Sequence, residues 1–466
     1  MLDFRSAESL QKAVLSGEAT HQSVAKASLE QAQKTQRLNA LIHQEDSFSD
    51  ENPSGILTGI PVAIKDNLLH KGRPCRCASK ILEGYVASST AFSVEQLENA
   101  GAIIIGRSNM DEFAMGSTTE SSSYGPTLNP WDVKRVPGGS SGGAAALVAA
   151  GVVPIAIGSS TGGSVRQPAS YCGVVGLKPT YGRVSRRGLV AYASSLDVVA
   201  PIASNINDAA RALQAMAEFD PLDETSLDHP VESFLEASQN GVSGLRIGLL
   251  DEGLNDGNEA GVNACIQQTA RILEEAGATC TKVSLPDLSK ALAAYYILAP
   301  SEASSNLSRF DGIRYGPRAE ANDLFSTYTK SRVQGFGEEV KRRILLGTFC
   351  LSSGYYDAFY GRAKAFQTQL RNAMVQRFNQ VDLILLPTAP GIAPLLGSHD
   401  KTPLDMYLSD IYTVTANLTG NPAISVPCGI SEGMPVGAQL IAPHWMESRL
   451  LAAGAAIENA VGTMQP

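Results

Sequence analysis

At 466 residues, 44% of them hydrophobic and 18% charged, the chain can bury a large core and is too apolar to stay disordered. A formal net charge of −9 argues against a chain that grips nucleic acid by itself, because neutralising phosphates takes clustered Lys and Arg. Seven scattered cysteines, an odd number, argue against a disulfide framework and for a reducing compartment. Cys75-Arg76-Cys77 lacks a second ligand pair at metal-binding spacing and reads as two thiols in a turn.

From the N-terminus, Met1-Leu2-Asp3-Phe4-Arg5 is not the basic opening of a signal peptide, and a soluble, cytoplasmic protein is expected. Residues 6–34 have helical apolar spacing, with Thr20 as the N-cap of a second helix. Pro53-Ser54-Gly55 marks a turn, and Ile60 to Ile64 reads as a buried strand ending at Lys65-Asp66-Asn67. An amphipathic helix over 90–100 stops at Gly101, before a strand from Ala102 to Gly106. Ala144 to Ala150 predicts a helix opened by a glycine run, and Val152 to Ile157 a buried strand. This apolar stretch, 144–157, is the longest, but it is broken by Gly151 and Pro154 and is too short to span a bilayer.

Residues 218–243 read as a polar surface excursion. After it come a strand over Leu245 to Leu250, a helix over 258–276 and a strand over Thr281 to Leu285. Residues 300–345 read as helices beside the sheet, and Val381 to Pro387 and Ala423 to Pro427 as further buried strands. Strand and helix alternate, which points to an α/β fold: a large mixed sheet covered by helices on both faces. We read one domain over 1–466, with a core over about 50–200.

The chemistry gathers in two glycine-serine runs, Gly138-Gly139-Ser140-Ser141-Gly142-Gly143 and Thr161-Gly162-Gly163-Ser164. Each offers a hydroxyl on a nearly bare backbone, as acyl transfer needs: a nucleophile with N–H groups beside it to hold an oxyanion. The first run alone could be a flexible loop. It lacks the lysine of a phosphate-binding loop, and no dinucleotide-binding glycine pattern opens a helix. The six histidines, His21, His43, His70, His229, His399 and His444, lie outside both runs, and His70 reads as solvated. A lysine can replace histidine as base if burial disfavours its ammonium form, and packing of Lys65 against Val62 and Ile64 would do that. A serine hydroxyl both donates and accepts, so it can relay the proton. The set is then base Lys65, relay Ser140 and nucleophile Ser164, with the N–H groups of Thr161, Gly162 and Gly163 as the oxyanion hole.

These residues resemble the amidase signature family. Lys65 stands in Gly59-Ile60-Pro61-Val62-Ala63-Ile64-Lys65-Asp66-Asn67, Ser140 in Pro137 to Gly143, and Ser164, 24 positions on, in Gly162 to Ala169. The resemblance implies a Ser–cis-Ser–Lys triad with a cis peptide bond at Ser140. Further segments, Met110 to Ser117, Cys172 to Ser185, Ser304 to Gly312 and Glu339 to Thr348, are similar to the branch that forms the amidase subunits of tRNA-dependent amidotransferases. That branch implies glutamine as substrate, with Arg343 on its α-carboxylate, Asp410 on its α-amino group and Tyr295 lining the pocket. It also implies a heterotrimer with two partners, GatB and GatC. GatB would use ATP and Mg²⁺ to activate Glu-tRNA(Gln) or Asp-tRNA(Asn), and this chain would hold no cofactor or metal. The family often has Asp where this chain has Ser160; a serine there can hydrogen-bond the loop but brings no charge. The alternatives are a stand-alone amidase acting on small amides, and a non-catalytic assembly protein, against which the intact Lys65, Ser140 and Ser164 argue.

Overall fold

Apolar runs with no polar face must be covered on both sides, and here they form the centre of one sheet. In the computed structural model, which describes residues 2–49, 54–286, 288–398 and 403–466, the strands are β1 (Leu41–Gln44), β2 (Pro61–Lys65), β3 (Ile103–Ser108), β4 (Ile155–Ser160), β5 (Val175–Lys178), β6 (Val198–Ala203), β7 (Arg246–Leu250), β8 (Thr279–Val283), β9 (Leu383–Pro387), β10 (Ala423–Ser431) and β11 (Met434–Ile441). They join in the order β1-β3-β2-β4-β6-β5-β10-β11-β9-β7-β8. The sheet is mixed: β2 runs parallel to β3 and β4, and β7 to β8 and β9, while β6, β5, β10 and β11 are antiparallel to their neighbours. Met1, Pro53 and His399, named above, lie outside the described residues.

Side chains alternate across the sheet, and this sorts the core into two layers. On one face Val62, Ile64, Ile155 and Ile157 pack with Val94, Leu97, Leu213 and Ile457 from the helices Phe92–Asn99, Ile206–Met216 and Glu447–Val461. On the other, Ala63, Ala156 and Ala200 meet the all-buried helix Gly142–Ala149. This is the covered α/β arrangement expected from the alternating pattern.

The expected elements are present, with shifted ends. Thr20 caps the helix His21–Lys34 in a capping box with Ser23. The helix expected from Ala144 starts at Gly142, and the strand expected from Val152 starts at Ile155, because Gly151 turns with φ +67° and Pro154 has no N–H. Residues 218–243 are not wholly superficial: Phe234, on the short helix Phe234–Ala237, is fully buried. Strands β1, β5, β6 and β11 are additions. β11 carries Pro435, Gly437 and Gln439, a poor apolar run, and is set by the two-residue hairpin Glu432-Gly433, both with positive φ.

Gly143 lets the helix Gly142–Ala149 approach closely. A Cβ there would strike the backbone of Asn109 and Ala40, which cannot swing aside as a side chain can. Gly143→Ala is therefore expected to destabilise the chain by about 3 kcal/mol, read by urea unfolding.

Candidate active site

Lys65 ends β2 where the parallel strands deliver their C-terminal ends. It is fully buried, and its Nζ donates to Ser140 Oγ (2.8 Å), Ser159 Oγ (3.1 Å) and the Ser159 carbonyl (3.3 Å). Val62 and Ile64 point to the opposite face of the pleat, so the expected apolar packing is replaced by hydroxyls and a carbonyl. The electrostatic outcome stands: burial lowers the Lys65 pKa to about 7, against the opposing pull of Asp111 and Asp197.

Ser140 follows a cis Gly139–Ser140 peptide bond. The Gln167 side chain clamps this turn, accepting from Gly139 N (2.9 Å) and donating to the Ser117 carbonyl (2.9 Å). The second serine run leaves β4 and doubles back to it: Ser141 N donates to the Ser164 carbonyl (3.2 Å), and Ser141 Oγ donates to the Ser159 carbonyl (3.2 Å). Lys65, Ser140 and the Ser164 segment are thus brought together. Among the described residues, the Ser164 hydroxyl and the N–H groups of Thr161, Gly162 and Gly163 have no hydrogen-bond partner within the chain. The turn therefore presents a free hydroxyl and free donors, which suits attack on a carbonyl and retention of the oxyanion.

The loop is fastened from beneath. Asp197 accepts from Thr161 Oγ1 (2.6 Å) and from the N–H groups of Tyr192 (2.9 Å) and Ala193 (3.0 Å). Ser160 departs from expectation: its hydroxyl is buried without a partner and does not bind the loop. The charge that residue 160 lacks comes from Asp197. Asn417 donates to the Ser160 carbonyl (3.1 Å), and Arg166 holds Asn417 Oδ1 (2.5 Å), the Thr413 carbonyl (3.0 Å) and Gln439.

Tyr295, Arg343 and Asp410 come together over this loop. A Cβ on Gly162 would strike the Tyr295 ring, so glycine there permits the contact. Arg343, buried on the helix Glu338–Leu351, donates from Nε to Glu339 (2.7 Å) and from Nη1 to Tyr192 OH (2.9 Å). Its Nη2 is buried and unpartnered. Burial opposes its charge, but the surrounding tyrosines and Glu339 outweigh this and raise its pKa. Its guanidinium lies 5.3 Å from the centre of the Tyr296 ring, and Tyr296 OH donates to Asp410 Oδ2 (3.1 Å), as does Ser117 Oγ (2.7 Å). Burial pushes Asp410 up to about 6. A cation with a free N–H and a buried carboxylate therefore flank one tyrosine, an arrangement complementary to an amino-acid zwitterion.

Among the described residues, no histidine hydrogen-bonds to Lys65, Ser140 or Ser164, and no three metal-ligating side chains converge. His70 is not solvated as expected: its ring is largely buried and pairs with Glu98 (3.1 Å). Ser117, Ser159, Gln167, Tyr192, Asp197 and Tyr296 are functional neighbours that the sequence does not single out. Ser117 and Asp410 are 293 positions apart, and no spacing rule joins them.

The amidase family model matches residues 8–451. The A subunit of glutamyl-tRNA(Gln) amidotransferase from Moorella thermoacetica is 52% identical over 87% of this chain and 83% of its own length. The protein of the same name from Deinococcus radiodurans is 48% identical over 100% and 99%. Among solved structures, the A subunit of glutamyl-tRNA(Gln) amidotransferase from Thermotoga maritima superposes with a TM-score of 0.86 at 41% identity, covering 100% of this chain and 98% of that one. A 6-aminohexanoate cyclic dimer hydrolase superposes with a TM-score of 0.85 at 26% identity, covering 99% and 98%. No described helix is long and apolar enough to cross a membrane.

Asp197→Ala leaves one hydroxyl and two N–H groups without their acceptor and is expected to cost about 3 kcal/mol in urea unfolding. Asp197→Asn should cost less, since its amide oxygen can face the two N–H groups while its NH₂ turns toward Thr161 Oγ1 and donates to it.

Proposed function

The chain belongs to the amidase family, and on that premise we propose that it is the glutaminase component of a tRNA-dependent amidotransferase, folded as one domain. Ser164 Oγ attacks the side-chain amide carbon of glutamine. Ser140 takes the Ser164 proton as it passes its own to the neutral Lys65 amine, and the N–H groups of Thr161, Gly162 and Gly163 hold the oxyanion. The proton returns through Ser140 to the amide nitrogen, ammonia leaves, and water then releases glutamate from the acyl-enzyme.

The observation that carries this reading is the Lys65–Ser140 contact of 2.8 Å, made by an amine that burial holds near neutrality. The substrate class follows from Arg343 and Asp410: the free Nη2 takes the α-carboxylate, Asp410 takes the α-amino group, and Tyr295 lines the space between them and the loop. The names of the relatives support the rest. Ammonia passes to GatB, which uses ATP and Mg²⁺ to amidate Glu-tRNA(Gln) or Asp-tRNA(Asn), and GatC completes the cytoplasmic heterotrimer. With a net charge of −9, this chain leaves tRNA binding to its partners.

Glutamate release from glutamine, with and without co-expressed partners, Glu-tRNA and ATP, tests the proposal. Ser164→Ala and Lys65→Ala should each lose at least about a thousandfold in kcat; full activity in either variant overturns the triad. Arg343→Ala should raise KM for glutamine at least about tenfold while sparing simple amides. Hydrolysis of simple amides alone, indifferent to Arg343, would identify a stand-alone amidase.

The pH profile has a fixed sign. Only the neutral Lys65 amine accepts a proton, so kcat/KM should rise with pH through about 7 and level off above it. Below about 6, protonation of Asp410 removes the partner of the α-amino group, and the acid limb should steepen.

A further inference from the structure

Cys265 and Cys428 come from distant parts of the chain and meet behind the sheet. Cys265 is half-buried on the helix Ala260–Glu275, which packs against β10. Cys428 is buried in β10 where the pairing with β11 slips between Pro427 and Gly429. Such a bulge re-aims the side chain it carries, and here the Cys428 thiol meets that of Cys265. Close approach is also visible at Gly429, where a Cβ would lie 2.6 Å from Cys265 Sγ.

We propose that Cys265 and Cys428 form a redox-active dithiol that closes to an intramolecular disulfide by exchange with a low-molecular-weight disulfide such as oxidised glutathione. The Cys265 thiolate attacks one sulfur of the small disulfide, whose S–S bond breaks and releases one thiolate. The Cys428 thiol gives its proton to that thiolate. Its sulfur then attacks Cys265 Sγ and expels the second small thiolate. Two protein thiols are oxidised by two electrons, and one small disulfide is reduced to two thiols.

The other thiols explain why the reaction selects this pair. Cys75 and Cys77 are also neighbours, but both are fully buried, and Cys172 and Cys350 are buried as well. Cys280 is half-buried like Cys265, yet burial and the nearby Glu274 push its pKa up to about 11. At Cys265 the hydrogen bond from Cys428 outweighs burial and lowers the pKa to about 7. Reactivity follows thiolate fraction and access together, and Cys265 has both. The link would tie the helix Ala260–Glu275 to β10 and close a long loop, which restricts the unfolded chain.

The folded full-length chain is incubated with oxidised glutathione at neutral pH, and its thiols are counted and its peptides mapped by mass. The expected result is loss of two thiols, a 265–428 cross-linked peptide, a melting temperature raised by several degrees, and reversal by dithiothreitol. Cys265→Ser should lose neither thiol, and Cys428→Ser should stop at a glutathione adduct on Cys265. A stable adduct on Cys265 in the unmutated chain, or prior oxidation of Cys280 or of the Cys75/Cys77 pair, would overturn the proposal.

Discussion

An ammonium ion on Lys65 would need counter-charges that the fold does not bring into contact with it. Its direct partners are two hydroxyls and a carbonyl, while Asp111 and Asp197 act on it only through space. Removing the amine from water costs its charged form more than these groups return, so the neutral form is populated near pH 7. The rest of the site is arranged around that balance. The hydroxyl closest to the amine belongs to Ser140, and the turn that presents Ser140 is held by Gln167, itself anchored on the Ser117 backbone. A base so enclosed cannot travel to its nucleophile, which is why a relay stands between the two in the proposed mechanism.

A similar constraint governs the loop over 160–164. Its donors can face a substrate only if they are not spent on the chain itself, so the loop has to be braced by other atoms. Asp197 takes the Thr161 hydroxyl, and Asn417 takes the Ser160 carbonyl. Arg166, just beyond Ser164, locks Asn417 and the Thr413 carbonyl in turn. Free N–H groups in a buried loop are costly, and polar braces that consume none of them make the loop sustainable.

Much of this is legible in the sequence. The buried runs Ile60 to Ile64 and Val381 to Pro387 have no polar alternation and can only be covered strands, and the glycine-serine runs mark close backbone approach. Lys65 and the two serines can be grouped by chemistry, and the amidase resemblance gives them an order. The braces are not legible, because each joins residues far apart in the chain through one or two atoms. Asp197 sits in an ordinary Ser195-Leu196-Asp197 stretch, and nothing local marks its carboxylate as the support of Thr161. Ser160 shows the opposite failure. The residue stands out in the sequence, but the effect of its missing charge becomes readable only once Asp197 is seen in the role. The sequence predicts a buried Lys65 with the wrong neighbours: strand periodicity, applied strictly, turns Val62 and Ile64 away from it.

Asp197 binds Thr161 with one carboxylate oxygen and the backbone of Tyr192 with the other, and the hydroxyl of that same tyrosine receives Arg343. In the proposed reading, the grip on the substrate's α-carboxylate and the loop carrying Ser164 therefore hang from one side chain. The gap between them becomes a gauge of fixed span. An amino acid whose side chain is one methylene too short can fill the anchor and still hold its amide carbon out of reach. Asparagine is then rejected by length, with no group in the pocket needed to repel it.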